Sequence, residues 1–185
     1  TNRHEVLLRV MTQGSYGRQP LAHSLSPSMD ITVSSNFERL LFDLYGRDGD
    51  AIAGLMSDFE KGEISFSPQA MSQARALFSS QCVDDPATCA QMAETWQRCE
   101  YMLDPHSAIG VKAAMDADLP AGVPVVTLAT AHPAKFPAAV KEAGLDDEPL
   151  LPHHLRDLFD RPERCEVLPN DLAVVQSFMV ENINA

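Results

Sequence analysis

The sequence predicts a helix-rich α/β fold, and two features of its hydrophobic pattern lead to that prediction. Most of the chain places apolar residues at the three- and four-residue spacing of amphipathic helices. Residues 123–128 instead form a short apolar run rich in valine, which is typical of a strand buried on both faces. A polar turn at 130–133 follows, and helical spacing then resumes up to residue 143. We therefore expect the chain to be organised around a strand–turn–helix at residues 123–143.

The two ends of the helix in this predicted unit are marked by residues with special backbone properties. Pro133 suits the first position of a helix, because no backbone N–H is needed there, and Gly144 suits the position just past its end. In α/β folds, ligands bind beside the carboxyl ends of strands. Thr130 and His132 follow the predicted strand, so they occupy the place where a site is expected.

The first hundred residues are predicted to be mainly helical. Residues 2–12 have helical spacing with Asn2 as the N-cap, and residues 37–44 form an amphipathic helix that Ser35 or Asn36 can cap. A helical region follows, with helices predicted at 50–62, 68–80 and 86–102 and a brief extended piece at 62–66.

The last third of the chain adds few further elements. They are a helix at 108–117, a short helix at 153–159, a short strand at 165–168 and a closing helix at 171–183. A strand that is apolar on both faces needs neighbouring strands to pair its backbone groups. Since only 123–128 is a convincing strand, part of the sheet is expected to lie outside this chain.

Composition excludes several classes of protein. With 45% hydrophobic and 22% charged residues, the 185-residue chain is expected to fold and not to be disordered. No apolar run approaches the ~18 residues that span a membrane. The net charge of −12 disfavours a surface for nucleic acid or anionic lipid. The four cysteines form no C-x-x-C pair and no secretory signal is evident, so we expect free thiols and a cytoplasmic location.

Read alone, the polar residues suggest little chemistry, and no metal site is predicted. Ser34, Ser35 and Asn36 precede a helix, where free N–H groups could bind a phosphate or carboxylate, although plain helix capping is the simpler explanation. His106 and His132 adjoin prolines at helix starts, where capping is again simpler than catalysis.

Three stretches of the chain resemble the threonine synthase family, in the branch shared by enteric bacteria and fungi. The first stretch is SPSMDI at 26–31 together with SSNFERLLF at 34–42, the second is DPHSAIG at 104–110 and the third is TAHPAKF at 130–136. They occur in the family's order. The family usually has threonine at position 107, and Ser107 keeps the hydroxyl. The similarity runs through essentially the whole chain.

The resemblance implies the C-terminal portion of a fold-type-II enzyme that uses pyridoxal 5′-phosphate. Such enzymes have a three-layer αβα architecture with a helical insertion. Residues 1–47 would belong to the large cofactor-binding domain, 48–103 to the insertion and 104–185 to the remainder of the large domain. The implied activity is a lyase reaction of threonine biosynthesis, which converts O-phospho-L-homoserine and water to L-threonine and phosphate.

The resemblance also implies roles for individual residues. Thr130, Ala131 and His132 match the family's cofactor-binding turn, with the Thr130 hydroxyl beside the pyridine nitrogen of the cofactor. The candidates on the substrate side are Asp104, His106, Ser107, Ser34, Ser35, Asn36 and Arg39.

The same resemblance implies that part of the enzyme is absent from this chain. The family's Schiff-base lysine lies upstream, and the motif of that lysine surrounds none of Lys61, Lys112, Lys135 and Lys141. We therefore expect the chain alone to be inactive, to require the N-terminal part of the same enzyme as its partner, and to self-associate through exposed apolar surface.

Two alternatives remain open at this point. One is a threonine-synthase-like phospho-lyase, which eliminates phosphate from a related substrate without forming threonine. The other is a helical domain without catalytic activity, whose role is binding or assembly.

Overall fold

A computed structural model describes residues 1–183 of the chain. Within them lie eight α-helices and one pair of antiparallel strands. In chain order these are α1 (Val6–Gln13), β1 (Ser15–Tyr16), α2 (Phe37–Leu44), α3 (Gly49–Lys61), β2 (Ile64–Ser65), α4 (Pro68–Leu77), α5 (Asp85–Cys99), α6 (Pro105–Asp116), α7 (Pro137–Glu142) and α8 (Leu172–Asn182). The chain divides into two units, Thr1–Leu150 and Leu151–Ala185.

Tyr16 lies at the centre of the first of two apolar clusters in the N-terminal unit. Its ring stacks on Phe59 of α3 at a centroid distance of 4.5 Å and meets Phe37 of α2 edge-on at 5.5 Å. Each such aromatic pair stabilises the fold by about 0.5–1.5 kcal/mol beyond the area it buries. Tyr16 also stands opposite Ile64 in the β1–β2 pair, so one side chain ties the strands to two helices.

The second apolar cluster joins α5, α6 and α7. Met92 of α5 is fully buried and packs with Ala108 of α6 and with Ala139 and Val140 of α7. The α5 and α6 helices make the most extensive contact of any two elements within residues 1–183. This packing fixes the N-terminus of α6, where several of the predicted site residues lie.

Most of the predicted helices are confirmed. The helix at 37–44 has the predicted bounds, and those at 50–62, 68–80, 86–102, 108–117 and 171–183 differ from α3, α4, α5, α6 and α8 by at most three residues at either end. Their caps follow sequence signals: Ser67 accepts a hydrogen bond from the N–H of Ala70, and Asp84 accepts one from Ala87.

The first helix begins four residues later than predicted, at Val6, and Asn2 is not its cap. The side-chain amide of Asn2 lies 2.7 Å from Asp30 Oδ1 and 2.9 Å from Ser24 Oγ, and Asn2 is almost completely buried. These buried contacts with a loop more than twenty residues away hold Asn2 outside the helix.

The strand predicted at 123–128 is not formed in this structure. These residues make no ladder hydrogen bond within residues 1–183, and the side chains of Val126 and Leu128 are 81% and 74% exposed. A strand is defined by its partners, and none of the described residues supplies one. The strand predicted at 165–168 is likewise absent from the described residues.

Two predicted helices are broken into shorter pieces. The helix predicted from Pro133 to residue 143 is a 3-10 turn, Pro133–Lys135, followed by α7. Pro137 causes the break, because it lacks an N–H and disfavours helical geometry at Phe136. In the C-terminal unit, the helix predicted at 153–159 is two 3-10 turns, His153–Leu155 and Leu158–Asp160.

The strand pair itself was missed at β1. The extended piece predicted at 62–66 contains β2, whereas no strand is predicted at its partner, Ser15–Tyr16. Among the helices of residues 1–183, none is both long and apolar enough to cross a membrane.

Candidate functional site

Asp104 is the centre of the best-defined polar cluster in the N-terminal unit. It caps α6, and its carboxylate accepts hydrogen bonds from the backbone N–H groups of His106 (2.9 Å) and Ser107 (3.4 Å). The same carboxylate accepts from the His106 ring at Nδ1 (2.8 Å) and from the Ser107 hydroxyl. All three residues are buried, and Asp104 is 1% exposed.

These four hydrogen bonds keep the Asp104 carboxylate ionised. Burial alone raises the pKa of a carboxyl group, because it disfavours the charged form. Here the hydrogen bonds from the side chains of Ser107 and His106, together with their backbone N–H groups, outweigh burial and leave the pKa of Asp104 below its ordinary value. Asp104 therefore acts as an acceptor only, and both partner side chains must donate to it.

The hydrogen bonds of His106 fix its tautomer. Nδ1 donates to Asp104, and Nε2 accepts from the backbone N–H of Ser28 at 3.2 Å. A backbone N–H can only donate, so the neutral ring carries its proton on Nδ1. His106 thus joins the N-terminus of α6 to the loop at 26–31, and two of the motifs singled out in the sequence meet here.

Ser107 joins α6 to the third motif. Its hydroxyl donates to Asp104, and its Oγ accepts from the backbone N–H of Thr130 at 3.1 Å. The structure therefore brings Asp104, His106 and Ser107 together with the turn that carries Thr130. This is the one place in the described chain where all three motifs converge.

The turn at Thr130, Ala131 and His132 lies between two cavities. One, of about 460 Å³, is lined by Asp104, Ser107, Ala131 and His132. The other, of about 510 Å³, is lined by His106, Thr130 and Ala131 among others. The side chain of Thr130 is exposed, and its hydroxyl has no hydrogen-bond partner within residues 1–183. That hydroxyl is therefore available to a ligand as a donor or an acceptor.

His132 serves as a helix cap, the simpler of its two predicted roles. Its Nδ1 accepts a hydrogen bond from the N–H of Ala134 at 3.2 Å, at the start of the Pro133–Lys135 turn. The ring is otherwise exposed, so it can still contact a ligand.

The candidates from Ser34 to Arg39 lie at a different place, beside the Tyr16 cluster. The N–H of Ser34 donates to the Tyr16 hydroxyl at 3.0 Å, and Asn36 stands at the N-cap of α2 without a side-chain capping bond. Arg39 is exposed. No described hydrogen bond joins these residues to Asp104, Ser107 or Thr130, and none of them lines the two cavities at the turn.

A second buried polar cluster was missed in the sequence. Asp30 accepts hydrogen bonds from the Ser24 hydroxyl and N–H and from the Asn2 amide, and His4 lies 3.5 Å away. Burial raises the pKa of Asp30, but the hydrogen bonds from Ser24 and Asn2 and the nearby His4 lower it below its ordinary value overall. The only sequence signal for this cluster was the alternation of serines at positions 24, 26 and 28 just before Asp30.

This second cluster shapes the loop that reaches the site. Asp30 and Ser24 close the ends of the segment that contains Ser28, whose N–H meets His106. Within residues 1–183, no group of three or more His, Cys, Asp or Glu side chains is arranged to hold a metal ion.

Comparison with known proteins relates this geometry to one family. A family model described as "Threonine synthase, C-terminal" matches residues 107–179. The curated threonine synthase of Pseudomonas aeruginosa is 52% identical over all 185 residues of this chain, which covers 39% of that protein. The chain therefore spans about two fifths of the length of the curated relative that it matches.

Solved structures give the same relationship. The chain matches the PLP-bound threonine synthase from Brucella melitensis with a TM-score of 0.90 and 43% identity, covering all of this chain and 40% of that one. It matches the yeast threonine synthase with a TM-score of 0.87 and 29% identity, covering 41% of that chain. The predicted fold class, the C-terminal portion of such an enzyme, is thereby confirmed.

Proposed function

Since this chain corresponds to the C-terminal part of the threonine synthase family, we propose that the natural protein containing it is a lyase dependent on pyridoxal phosphate. In this proposal the protein converts O-phospho-L-homoserine and water to L-threonine and phosphate. The observation that carries the proposal is the 52% identity over the whole chain to the P. aeruginosa threonine synthase.

The chemistry of the turn fits one edge of the cofactor. The Thr130 hydroxyl is exposed and lacks a described partner, and a hydroxyl can hydrogen-bond a pyridine nitrogen in either direction. When bound, pyridoxal phosphate supplies the electron sink of the reaction. Thr130 would hold the ring nitrogen without forcing a proton onto it, and Ala131 and His132 would line the same pocket.

On the substrate side, the first candidates are already hydrogen-bonded within the chain. Asp104, His106 and Ser107 lie beside the turn, but their polar atoms are occupied by one another and by Ser28 and Thr130. Ser34, Ser35, Asn36 and Arg39 stay candidates for binding the substrate phosphate.

The proposed partner of this chain is the N-terminal part of the same enzyme. Exposed apolar side chains support this, because such patches usually mark contact surfaces. They occur on the unpaired run at 123–128 and, in the C-terminal unit, on α8, where Leu172, Met179 and Val180 are 74%, 58% and 66% exposed. The domain boundaries after residues 47 and 103, which the resemblance implies, also stay predictions.

We further propose that the chain alone is inactive, because the family's Schiff-base lysine is expected upstream. A cytoplasmic location is part of the same proposal. All four cysteines are free, which suits a reducing compartment.

Expression of the natural polypeptide tests the proposal. The purified protein should show the visible absorption of bound pyridoxal phosphate, release phosphate from O-phospho-L-homoserine and form threonine in equal amount. The 185-residue chain, assayed beside it, should do none of these. Phosphate release without threonine would instead support the phospho-lyase, and a protein that binds no cofactor would support a binding domain.

A further inference from the structure

The segment 124–131 is held to the rest of the N-terminal unit at very few points. Within residues 1–183, the only hydrogen bond made by its backbone is the one from the Thr130 N–H to Ser107 Oγ. The segment also touches α6 beside Gly110, where an added Cβ would lie 2.9 Å from the Thr127 methyl carbon. Within residues 1–183, Ser107 Oγ is therefore the one hydrogen-bond acceptor that holds the Thr130 backbone.

The Ser107 hydroxyl is itself oriented by the buried carboxylate of Asp104. The Ser107 hydroxyl hydrogen points to Asp104, which leaves the lone pairs of Oγ free to face Thr130. Asp104 cannot turn away, because it also caps α6 and holds the His106 ring, which is anchored on Ser28. The Thr130 N–H thus donates to Ser107 Oγ, and the Ser107 hydroxyl donates to the Asp104 carboxylate.

We propose that Ser107, aimed by Asp104, is a positioning residue that places the Thr130 hydroxyl against the ring nitrogen of pyridoxal phosphate. This inference rests on the proposed function and deepens it, since it assigns a role to Ser107 that does not require contact with the substrate. Ser107 is 3% exposed, which suits a group that acts through Thr130.

The test uses four single variants of the natural polypeptide and the double variant that combines Ser107→Ala with Thr130→Ala. Ser107→Ala removes the acceptor, Ser107→Thr keeps a hydroxyl, and Thr130→Ala removes the group being positioned while keeping its N–H. Ser57→Ala, which removes an exposed hydroxyl from α3, is the matched control. If the alanine variant does not fold, Ser107→Cys keeps the shape of the side chain with a much weaker acceptor.

Two measurements are made on each variant. The first is the dissociation constant of pyridoxal phosphate, followed by fluorescence. The second is amide hydrogen exchange of the peptide covering 125–131 in the cofactor-free protein.

The expected pattern separates positioning from a purely structural role. Ser107→Ala should speed exchange at 125–131 and raise the cofactor dissociation constant about three- to tenfold, as loss of one hydrogen bond allows. Ser107→Thr and Ser57→Ala should stay close to the parent protein. Once Thr130→Ala is present, Ser107→Ala should have no further effect on cofactor binding, because the two residues act through one contact.

Other patterns overturn the inference. Faster exchange with an unchanged dissociation constant would make Ser107 structural only. An effect of Ser107→Ala that persists in full beside Thr130→Ala would mean that Ser107 acts by another route. If the parent protein binds no pyridoxal phosphate at all, the proposed function fails first and this inference fails with it, a result distinct from both others.

Discussion

At the scale of single residues, two buried carboxylates organise the polar part of the fold. Asp104 accepts four hydrogen bonds at the start of α6, and Asp30 closes the loop that carries Ser28. For each, hydrogen bonds overcome the effect of burial and lower the pKa. The charged form of both groups therefore belongs to the folded state.

The lowered pKa of Asp104 predicts a loss of stability in acid. Because its pKa is lower in the folded than in the unfolded protein, its contribution is complete above the ordinary value of about 4 and disappears as the pH falls through the folded-state pKa. The urea concentration at the unfolding midpoint of the natural polypeptide should therefore decrease as the pH is lowered below about 4.

The variant Asp104→Asn tests whether the Asp104 carboxylate causes this loss of stability in acid. It should lower the free energy of unfolding by about 1–3 kcal/mol at pH 7, since a buried acceptor of several hydrogen bonds is altered, and should flatten the acid dependence. Asp118→Asn, which removes an exposed carboxylate just past α6, should change neither. Equal acid dependence in Asp104→Asn and the parent would contradict the assignment.

Tyr16 gives a second prediction at this scale. Its hydroxyl accepts from the N–H of Ser34, and burial raises the pKa of that hydroxyl above its ordinary value. Tyr16→Phe keeps the stacking on Phe59 but leaves the Ser34 N–H without its acceptor. We expect a loss of about 1 kcal/mol in unfolding free energy, measured by urea titration. A neutral effect would show that water replaces the hydroxyl.

At the scale of elements, α6 is the helix on which the candidate site is built. Asp104 caps it, its first turn carries His106 and Ser107, and its second turn presents Gly110 to Thr127. The helix thus contacts the segment 124–131 at two points. One is a hydrogen bond and the other is a close approach that only glycine allows without displacement.

Gly110→Ala should push the segment away from α6. Alanine raises helix propensity by about 1 kcal/mol, so global stability is a poor measure of this change. The informative measurement is amide exchange at 125–131, which should become faster. Thr127→Ser removes the methyl group that the new Cβ would meet and should restore protection in the double variant. Unchanged exchange in Gly110→Ala would contradict the proposed close contact.

Element by element, sequence patterns predicted the helices well and the extended segments poorly. The helix at 37–44 was found because its spacing and its start signals are local. β1 was missed because two residues carry no period, and Ser15–Tyr16 is identified only by its partner some fifty residues away. The strand predicted at 123–128 has the right composition, but none of residues 1–183 pairs with it, and composition alone does not supply a partner.

In the candidate site too, contacts between residues far apart in the sequence could not be predicted. Sequence motifs indicated Asp104, His106, Ser107 and Thr130 separately, and the resemblance placed them near one pocket. Their connection through a side-chain hydroxyl and a backbone N–H could not be read from spacing, because residues 117–129, which have no helix or strand, separate α6 from Thr130. The Asn2–Asp30 cluster was hidden for the same reason.

At the scale of the whole molecule, exposed apolar surface is the dominant feature. Val126 and Leu128 stand on the unpaired segment, where backbone groups and apolar side chains are exposed together. Such a combination favours association with another chain. Under the proposed function, we expect the remainder of the natural polypeptide to cover it.

The purified 185-residue chain should therefore self-associate. Sedimentation velocity at micromolar concentration should show species larger than a monomer, and Val126→Lys combined with Leu128→Lys should shift the chain towards monomer. Leu77→Lys is the matched control, because Leu77 is 76% exposed but belongs to α4 and not to the unpaired segment. A monomeric parent chain would contradict the prediction.

The exposed stretch at residues 115–126 also determines where a protease should cut first. All of its side chains are exposed to solvent. Within residues 1–183, the backbone of 118–126 makes one hydrogen bond, from the N–H of Val123 to the carbonyl oxygen of Pro120. Local opening there requires little free energy, and proteases bind extended backbone. Elastase, which cleaves after small aliphatic residues, should separate Ser107 from Thr130 before it attacks the helices. Resistance of this stretch to cleavage in the natural polypeptide would then report directly how completely the rest of that polypeptide encloses it.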